Sequence, residues 1–178
     1  AINLKNQTLI WAKNFGIPFR SNLKIIDEQI LLASQDNVIY SVNKKTGENN
    51  WQFATSLTFL KSDFENNFVI DKDGQNIFFL NTSGELYAIN NLNQRINWVI
   101  NFKNSSLVGD VELFLSQPLV IKKNSIIIST ENSILSYDLL DGTKNWSFPS
   151  GTILKPALTT NFTYIVTKNN LLICIDNK

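Results

Sequence analysis

A recurring segment constrains this chain more than any other feature of its sequence. Each copy holds a small residue, then Asn or Asp two positions later, then Gly or Gln, and then Trp four positions after that. Complete copies span residues 1–11, 41–51, 88–98 and 136–146, and a fifth begins at Cys174. Trp11, Trp51, Trp98 and Trp146 are therefore separated by 40, 47 and 48 residues. Repeats of this length are typical of propellers and solenoids.

Short apolar runs in each repeat predict β-strands. They are Ile30–Ala33, Ile77–Leu80, Ile126–Ser129 and Tyr164–Thr167, each followed by a turn that ends at Asn37, Gly84, Asn132 or Asn170. Asn and Gly tolerate the positive φ that tight hairpin turns require. A second strand and then the Trp strand follow each turn, and a first strand precedes each run, near residues 23–26, 67–70, 119–121 and 156–158. Four antiparallel strands per repeat predict an all-β propeller built of four-stranded blades.

Length and composition bound the domain organisation and exclude several functions. We expect residues 1–178 to form a single domain, a partial propeller whose last blade is incomplete. A net charge of +1 without a basic cluster argues against nucleic-acid binding. No apolar stretch approaches the roughly 20 residues of a membrane span. Histidine, the commonest general base, is absent, and no phosphate-binding Gly-rich loop occurs. We therefore predict no catalytic residue, no metal site and no cofactor.

The tryptophans and the single cysteine are interpreted as packing residues. A large aromatic side chain at a fixed place in every blade is expected to pack against the neighbouring blade. Stacking of a sugar or a quinone on one of the tryptophans is the alternative. Cys174 occupies a column otherwise filled by Ser and Ala, so it is expected to pack rather than react. Residues 71–74 faintly resemble a calcium loop, but they are more simply the turn before the strand at Ile77.

The repeat resembles the PQQ-like propeller family, whose blades carry Ala-x-Asp-x-x-Thr-Gly-x-x-x-Trp. Residues 41–51 and 136–146 match this motif well, whereas residues 88–98 have Asn90 for Asp and Gln94 for Gly. The resemblance covers the whole chain and implies the propeller fold. It does not fix a function, because the same blade serves quinone dehydrogenases, assembly scaffolds and luminal stress sensors. The vicinal cysteines, calcium-binding carboxylates and catalytic Asp of the quinoprotein dehydrogenases are not recognisable, so we predict that the chain is not an enzyme.

A finer resemblance lies in two connections between blades. Residues 16–21 follow Trp11, and residues 107–112 follow Trp98 in an unusually long connection. They are similar to two loops of the BamB family, scaffold lipoproteins of the outer-membrane β-barrel assembly machine, which bind the periplasmic POTRA domains of the barrel subunit BamA. By position, Ile17 and Phe19 match two leucines of the first loop, and Arg20 matches its arginine. Asp110 and Glu112 match two acids of the second loop, with Glu112 a departure from Asp.

Both segments lie between a Trp strand and the next first strand, so we expect them to emerge on one face of the propeller. Apolar side chains beside an arginine are typical of residues that dominate interface energy. In the alternative interpretation, Ile17 and Phe19 cover the edge of the core, and Arg20 pairs locally with Asp110 or Glu112. The resemblance therefore implies, as the leading function, a periplasmic scaffold associated with the outer membrane. A fragment of a PQQ-dependent dehydrogenase and a general interaction or sensor module are the alternatives.

The two ends of the chain indicate an incomplete ring. The first residue and Cys174 occupy the same column of the repeat, so four repeats are present and both ends fall within a motif. We expect a fragment of about half of an eight-bladed propeller, in which a lipid anchor is not visible. Open blade edges invite self-association, and two halves pairing head to tail are one expectation. A four-bladed ring closed by the strand of Trp11 is the other.

Overall fold

The computed structural model describes residues 1–56, 67–102, 117–130 and 132–177. The regular structure in these ranges consists of β-strands, as the repeat predicted. None of the described residues belongs to a helix long and apolar enough to cross a membrane.

The described strands form a short hairpin followed by four antiparallel sheets, which we call the first to fourth blades. The N-terminal hairpin contains β1 (Ile2–Asn3) and β2 (Thr8–Leu9). The first blade contains β3 (Lys24–Ile26), β4 (Gln29–Ala33), β5 (Val38–Asn43) and β6 (Asn49–Ala54). The second contains β7 (Asn67–Ile70), β8 (Asn76–Leu80), β9 (Glu85–Asn90) and β10 (Ile96–Asn101). The third contains β11 (Gln117–Lys122), β12 (Ser125–Ser129), β13 (Ile134–Asp138) and β14 (Lys144–Phe148), and the fourth contains β15 (Ala157–Leu158), β16 (Phe162–Val166) and β17 (Leu172–Asp176).

The strands of each blade pair in chain order, and the register repeats from blade to blade. The small residue of the motif lies opposite Trp, in the pairs Ser41 with Trp51, Ala88 with Trp98 and Ser136 with Trp146. In each pair of strands the register shifts at the residue immediately before the tryptophan. This repetition confirms the prediction of four-stranded propeller blades.

The apolar core lies between consecutive blades. We call the side of a blade that packs on the next blade its forward face and the opposite side its backward face. Leu31, Ala33 and Ile39 on the forward face of the first blade pack against Phe79 and Ile89 on the backward face of the second. Similar clusters join the second blade to the third and the third to the fourth. Because a strand alternates its side chains, the central strands of the second and third blades each contribute to two such clusters.

Two columns of turns adopt the left-handed backbone that tight turns require. The turn between the second and third strands has positive φ at Asn37, Gly84 and Asn170. The turn before the Trp strand has positive φ at Gln7, Gly47, Gln94 and Gly142. Glycine adopts this conformation without a Cβ penalty, whereas the two glutamines adopt it at a cost.

An asparagine before each blade tryptophan cross-links the strands. The amide of Asn50 donates to the hydroxyl of Ser41 (3.1 Å), which in turn donates to Gln29 (2.9 Å). Asn145 donates to Ser136 and Ser125, and Asn97 donates to Asn76. These bonds join the second, third and fourth strands of a blade. They fix the register that places Trp opposite the small residue.

Candidate partner-binding surface

The first candidate segment, residues 14–21, is held against the first blade by its backbone. Gly16 follows a turn in which its amide donates to the side chain of Asn14 (2.8 Å). The amide of Gln35 then donates to the carbonyl of Pro18 (3.0 Å), and the amide of Arg20 donates to the carbonyl of Ala33 (3.1 Å). The segment therefore runs beside the end of β4 as a short added strand.

An aromatic cluster on the backward face of the first blade holds the same segment in place. The rings of Phe15 and Phe19 meet edge to face with centroids 5.0 Å apart, and both contact Tyr40, at 5.3 and 5.7 Å. Tyr40 belongs to the backward face of the first blade, where Trp11 also packs. The ammonium of Lys13 lies 5.0 Å from the centre of the Phe15 ring. The cluster gives the segment one defined conformation.

The predicted partner-binding residues of this segment differ in their surroundings. Phe19 is half-buried within the aromatic cluster, so it contributes to the core edge as the alternative interpretation expected. Ile17 and Arg20 are also half-buried. Ile17 follows the left-handed turn at Gly16, next to the point at which Pro18 joins β4. Part of the surface of each of these side chains is available to a partner.

The second candidate segment, which contains Asp110 and Glu112, lies outside the described residues. Phe102, the last described residue before it, allows a comparison with the first segment. Phe15 and Phe102 each follow a tryptophan by four residues. Each ring meets a tyrosine of the next blade edge to face, Phe15 with Tyr40 at 5.3 Å and Phe102 with Tyr137 at 5.7 Å. The two segments therefore begin at equivalent places, one against the first blade and the other against the third.

Two of the tryptophans lie on the glycine turn of the following blade. The indole nitrogen of Trp11 donates to the carbonyl of Lys44 (3.0 Å), and that of Trp98 donates to the carbonyl of Leu139 (3.1 Å). The rings cover Gly47 and Gly142, respectively. This second role of the Gly or Gln column, as the seat of a tryptophan from the preceding repeat, was missed by the sequence reasoning. The sequence did contain a signal for this contact, because the Gly or Gln column and the Trp column recur in the same order in every repeat.

For Trp51, the turn of the following blade has Gln94 in place of the glycine. Trp51 packs in the cluster between the first and second blades. The carbonyl equivalent to those of Lys44 and Leu139 is that of Asn91, and it accepts a hydrogen bond from the side chain of Gln94 (2.9 Å). Trp146 packs between the third and fourth blades and also lines an open cavity of about 520 Å³. Lys122, Lys123 and Asn177 contribute to the same cavity.

Ionisable groups with shifted pKa values lie apart from the first candidate segment. The ammonium groups of Lys45 and Lys44, 2.9 and 3.2 Å from the carboxylate of Glu28, lower the pKa of that exposed carboxyl. Burial raises the pKa of the hydroxyls of Tyr87 and Tyr137. Within the described ranges, no three acidic or cysteine side chains come together as a metal site would require.

Comparison with known proteins identifies the family. The sequence model described as outer membrane protein assembly factor BamB, of the PQQ-like repeat type, matches residues 1–178. The chain belongs to the BamB family. None of the curated protein sequences compared with this BamB-family chain is significantly similar to it.

Solved structures show the same fold at low sequence identity. BamB from Moraxella catarrhalis superposes with a TM-score of 0.75 and 9% identity, over 99% of this chain and 54% of its own. The computationally designed protein Ika4 superposes with a TM-score of 0.69 and 11% identity, over 96% of this chain and 98% of its own. Quinohemoprotein alcohol dehydrogenase from Comamonas testosteroni gives 0.68 and 13%, over 84% and 29%. This BamB-family chain thus spans about half the length of Moraxella BamB.

Proposed function

We propose that this chain is part of a non-enzymatic scaffold that binds the POTRA domains of a BamA-like barrel subunit. The family match over residues 1–178 carries the proposal. The proposal implies a periplasmic protein associated with the outer membrane, attached there directly or through a lipid anchor elsewhere in its polypeptide. Its binding surface comprises Ile17, Phe19 and Arg20, together with Asp110 and Glu112 of the second segment.

The geometry of the first segment supports a binding role. Backbone hydrogen bonds to Ala33 and Gln35 and the packing of Phe15 and Phe19 on Tyr40 hold residues 15–20 in one conformation. Because a segment that is already ordered loses little conformational entropy on binding, most of its contact energy is retained as affinity. Phe19 anchors the segment, and the accessible parts of Ile17 and Arg20 contact the partner.

The equivalent starts of the two segments support a combined surface. Phe15 and Phe102 occupy the same offset from their tryptophans and make similar edge-to-face contacts with tyrosines of the first and third blades. We propose that the residues that follow them share one side of the propeller. Arg20 on one segment and the acids Asp110 and Glu112 on the other would then present both signs of charge to a partner, which favours specific orientation over raw affinity.

Binding measurements with purified POTRA domains of a BamA-like protein test the proposal. Replacing Ile17 by Asp is expected to weaken binding by about 10- to 100-fold, as for interface anchors. The matched control is Leu140→Asp, which introduces the same charge at an exposed leucine in the turn between β13 and β14, and it is expected to leave the affinity unchanged. Equal affinity of wild type and Ile17→Asp would contradict the proposal.

Arg20 needs a milder substitution, because its side chain is half-buried. Arg20→Gln removes the charge while keeping hydrogen-bond donors, so the fold should tolerate it better than Arg20→Glu. We expect weaker binding and a nearly unchanged melting temperature for Arg20→Gln. Normal binding by this variant would show that Arg20 does not belong to the proposed binding surface. Loss of folding would show that the residue acts in the core.

The alternative function is a fragment of a quinone-dependent dehydrogenase, favoured by the structural similarity to the Comamonas enzyme. Incubation with PQQ and calcium followed by a dye-reduction assay distinguishes the two functions. If the chain is a scaffold, we expect no reduction of the dye. Dye reduction with turnover of an alcohol substrate would favour the dehydrogenase over the scaffold.

A further inference from the structure

The contact between the first and second blades lacks a hydrogen bond that a tryptophan makes at the next contact along the chain. Trp98 joins the second blade to the third, since its ring covers Gly142 and its indole nitrogen donates to the carbonyl of Leu139 (3.1 Å). Trp11 makes the same two kinds of contact with the turn of the first blade. The indole nitrogen of Trp51, which packs between the first and second blades, donates to none of the described residues. The first two blades are therefore joined less completely on the side of the propeller that carries these turns.

Gln94 closes the seat that the ring of Trp51 would need. A Cβ at Gly142 would lie 2.8 Å from the ring that covers it, so an indole cannot take this position over a residue that has a Cβ. Gln94 is the residue at this place in the second blade, and its side-chain amide donates to the carbonyl of Asn91 (2.9 Å). That carbonyl is the equivalent of the one that accepts from Trp98 in the third blade. A side chain of the second blade thus blocks the ring and also takes its acceptor.

Two further features show an incomplete contact on the same side. The side-chain oxygen of Asn91 is buried and has no hydrogen-bond partner among the described residues, which costs free energy. A cavity of about 470 Å³ lies between Lys24–Asp27, at the end of β3, and Val69–Gly74, at the end of β7. Gly74 connects the two features, because its carbonyl accepts a hydrogen bond from the side-chain amide of Asn91 (2.9 Å). Open space and an unpaired polar atom therefore occur together on this side of the second blade.

The opposite side of the same contact is firmly joined. The side-chain amide of Asn37 in the first blade donates to the hydroxyl of Thr82 in the second (2.8 Å), and the backbone amide of Thr82 donates back to the side-chain oxygen of Asn37 (3.1 Å). The side-chain amide of Asn81 donates to the hydroxyl of Thr55, which follows β6 (3.3 Å). Because successive turns of an antiparallel sheet alternate between its two ends, these bonds lie at the far end of the blades from the turn of Gln94. The two blades are tied more strongly at this end than at the other.

We propose that the first and second blades form a hinge, which pivots on the bonds between Asn37 and Thr82 and opens beside the turn of Gln94. The apolar cluster around Leu31 and Phe79 stays packed, so the motion is a tilt of one blade against the other and not a separation. Opening widens the cavity between β3 and β7. In a hinge of this kind a few residues at the ends of the strands absorb the change, while the packed strands move as rigid bodies.

The position of the hinge follows from one residue and not from the number of strands. Both blades at this contact have four strands, as do both blades at the contact of Trp98. The two contacts differ in the turn that receives the tryptophan, which has Gln94 in the second blade and Gly142 in the third. The second and third blades therefore move together. The hinge lies between Phe19, on the first blade, and Phe102, on the third, so it sets the distance between the two candidate segments, although its existence does not rest on the proposed function.

Distances between spin labels test the hinge. In a Cys174→Ser background, Lys45→Cys and Leu92→Cys carry labels at equivalent turn positions of the first and second blades. Leu92→Cys and Leu140→Cys form the matched pair across the contact of Trp98, and all three labelled positions are exposed. We expect double electron–electron resonance to give a broader distance distribution for the first pair than for the matched pair. Equal widths would overturn the proposal.

Substitution of Gln94 tests the cause of the hinge. Gln94→Gly removes the Cβ and frees the carbonyl of Asn91, so Trp51 can take the seat that Trp98 takes on the third blade. We expect the distance distribution of the first pair to narrow and that of the matched pair to stay the same. The indole N–H of Trp51 should exchange with solvent about fivefold more slowly, as for one added hydrogen bond of average strength, measured by NMR with Trp98 as the internal reference.

Gln94→Ala is the matched control, because it frees the same carbonyl but keeps the Cβ that blocks the ring. The distribution of the first pair should stay broad in this variant. A folded Gln94→Gly chain with an unchanged distribution would overturn the proposal, and so would equal narrowing in both variants. None of these measurements uses a binding partner, so failure of the hinge and failure of the proposed function are distinguishable.

Discussion

The indole of Trp98 lies directly on Gly142 of the following blade, so closely that a Cβ at residue 142 would be 2.8 Å from Cδ2 of the ring. The same relationship joins Trp11 to Gly47, where the distance to Cε3 would be 2.5 Å. Both glycines have positive φ. One residue thus serves two purposes, because it turns the chain toward its own Trp strand and leaves room for the tryptophan of the preceding repeat.

Replacing Gly142 by Ala should therefore destabilise the fold for two reasons. The left-handed backbone costs about 1–2 kcal/mol with a Cβ, and overpacking against the indole adds about 1–3 kcal/mol. We expect a loss of about 2–5 kcal/mol in the free energy of unfolding, measured by urea denaturation. The control is Gly16→Ala, whose φ is also positive but whose added Cβ would meet nothing within 4 Å, so it should show only the backbone cost. Equal losses for both variants would show that contact with Trp98 is unimportant.

Gln94 is the opposite case, because a side chain occupies a position where Gly is found in the first and third blades. Its φ of 56° is unfavourable for a residue with a Cβ. Gln94→Gly should stabilise the chain by about 1 kcal/mol, reduced by loss of the hydrogen bond to the carbonyl of Asn91. The melting temperature measures the effect. Tryptophan fluorescence should also change, since the carbonyl of Asn91 becomes available to Trp51, and an unchanged spectrum with lower stability would contradict this account.

Tyr137 predicts a loss of stability at alkaline pH. Burial raises the pKa of its hydroxyl above the ordinary value of 10.0, so the folded state holds the proton more tightly than the unfolded state does. The resulting stabilisation is complete below pH 10 and is lost as the pH rises through the higher pKa of the folded state. Tyr137→Phe should change the urea midpoint little at neutral pH and flatten its decline above pH 10. An identical decline in the variant would assign the effect to other groups.

The asparagine before each blade tryptophan should contribute to stability. Asn50→Ala removes the bond to Ser41 and loosens the bond from Ser41 to Gln29, and we expect a cost of about 1 kcal/mol. Gln52→Ala provides the control, since Gln52 is exposed on the same strand. Thermal unfolding of the two variants measures the difference. A loss for Gln52→Ala as large as that for Asn50→Ala would indicate a general effect of the strand.

The spacing of the tryptophans and the apolar runs predicted the blades closely. The run Ile77–Leu80 became β8, and the expected strand at residues 67–70 became β7 with the same bounds. These features are local, because alternation along a strand and a left-handed turn depend on a few neighbouring residues. The asparagines before the tryptophans were equally visible in the sequence. Their role was not predicted, because it depends on which strands become neighbours.

The candidate surface was predictable only in part. Sequence order placed residues 17–20 after a Trp strand and identified Ile17, Phe19 and Arg20 as candidates. The distances among Phe15, Phe19 and Tyr40 were not predictable, because Tyr40 is more than twenty residues away along the chain and reaches the loop only when the first blade has formed. Phe19 thereby became an anchor of the segment as well as a candidate contact.

The sequence by itself determined the repeat, the strands, the turns and the family, since each depends on residue types at short and regular spacing. Only the tertiary structure decided which face of each blade meets the next and which tryptophans rest on glycine. Those outcomes depend on contacts between residues far apart along the chain, such as Trp11 with Gly47. Long-range packing of this kind selects among pairings that the local pattern leaves equivalent.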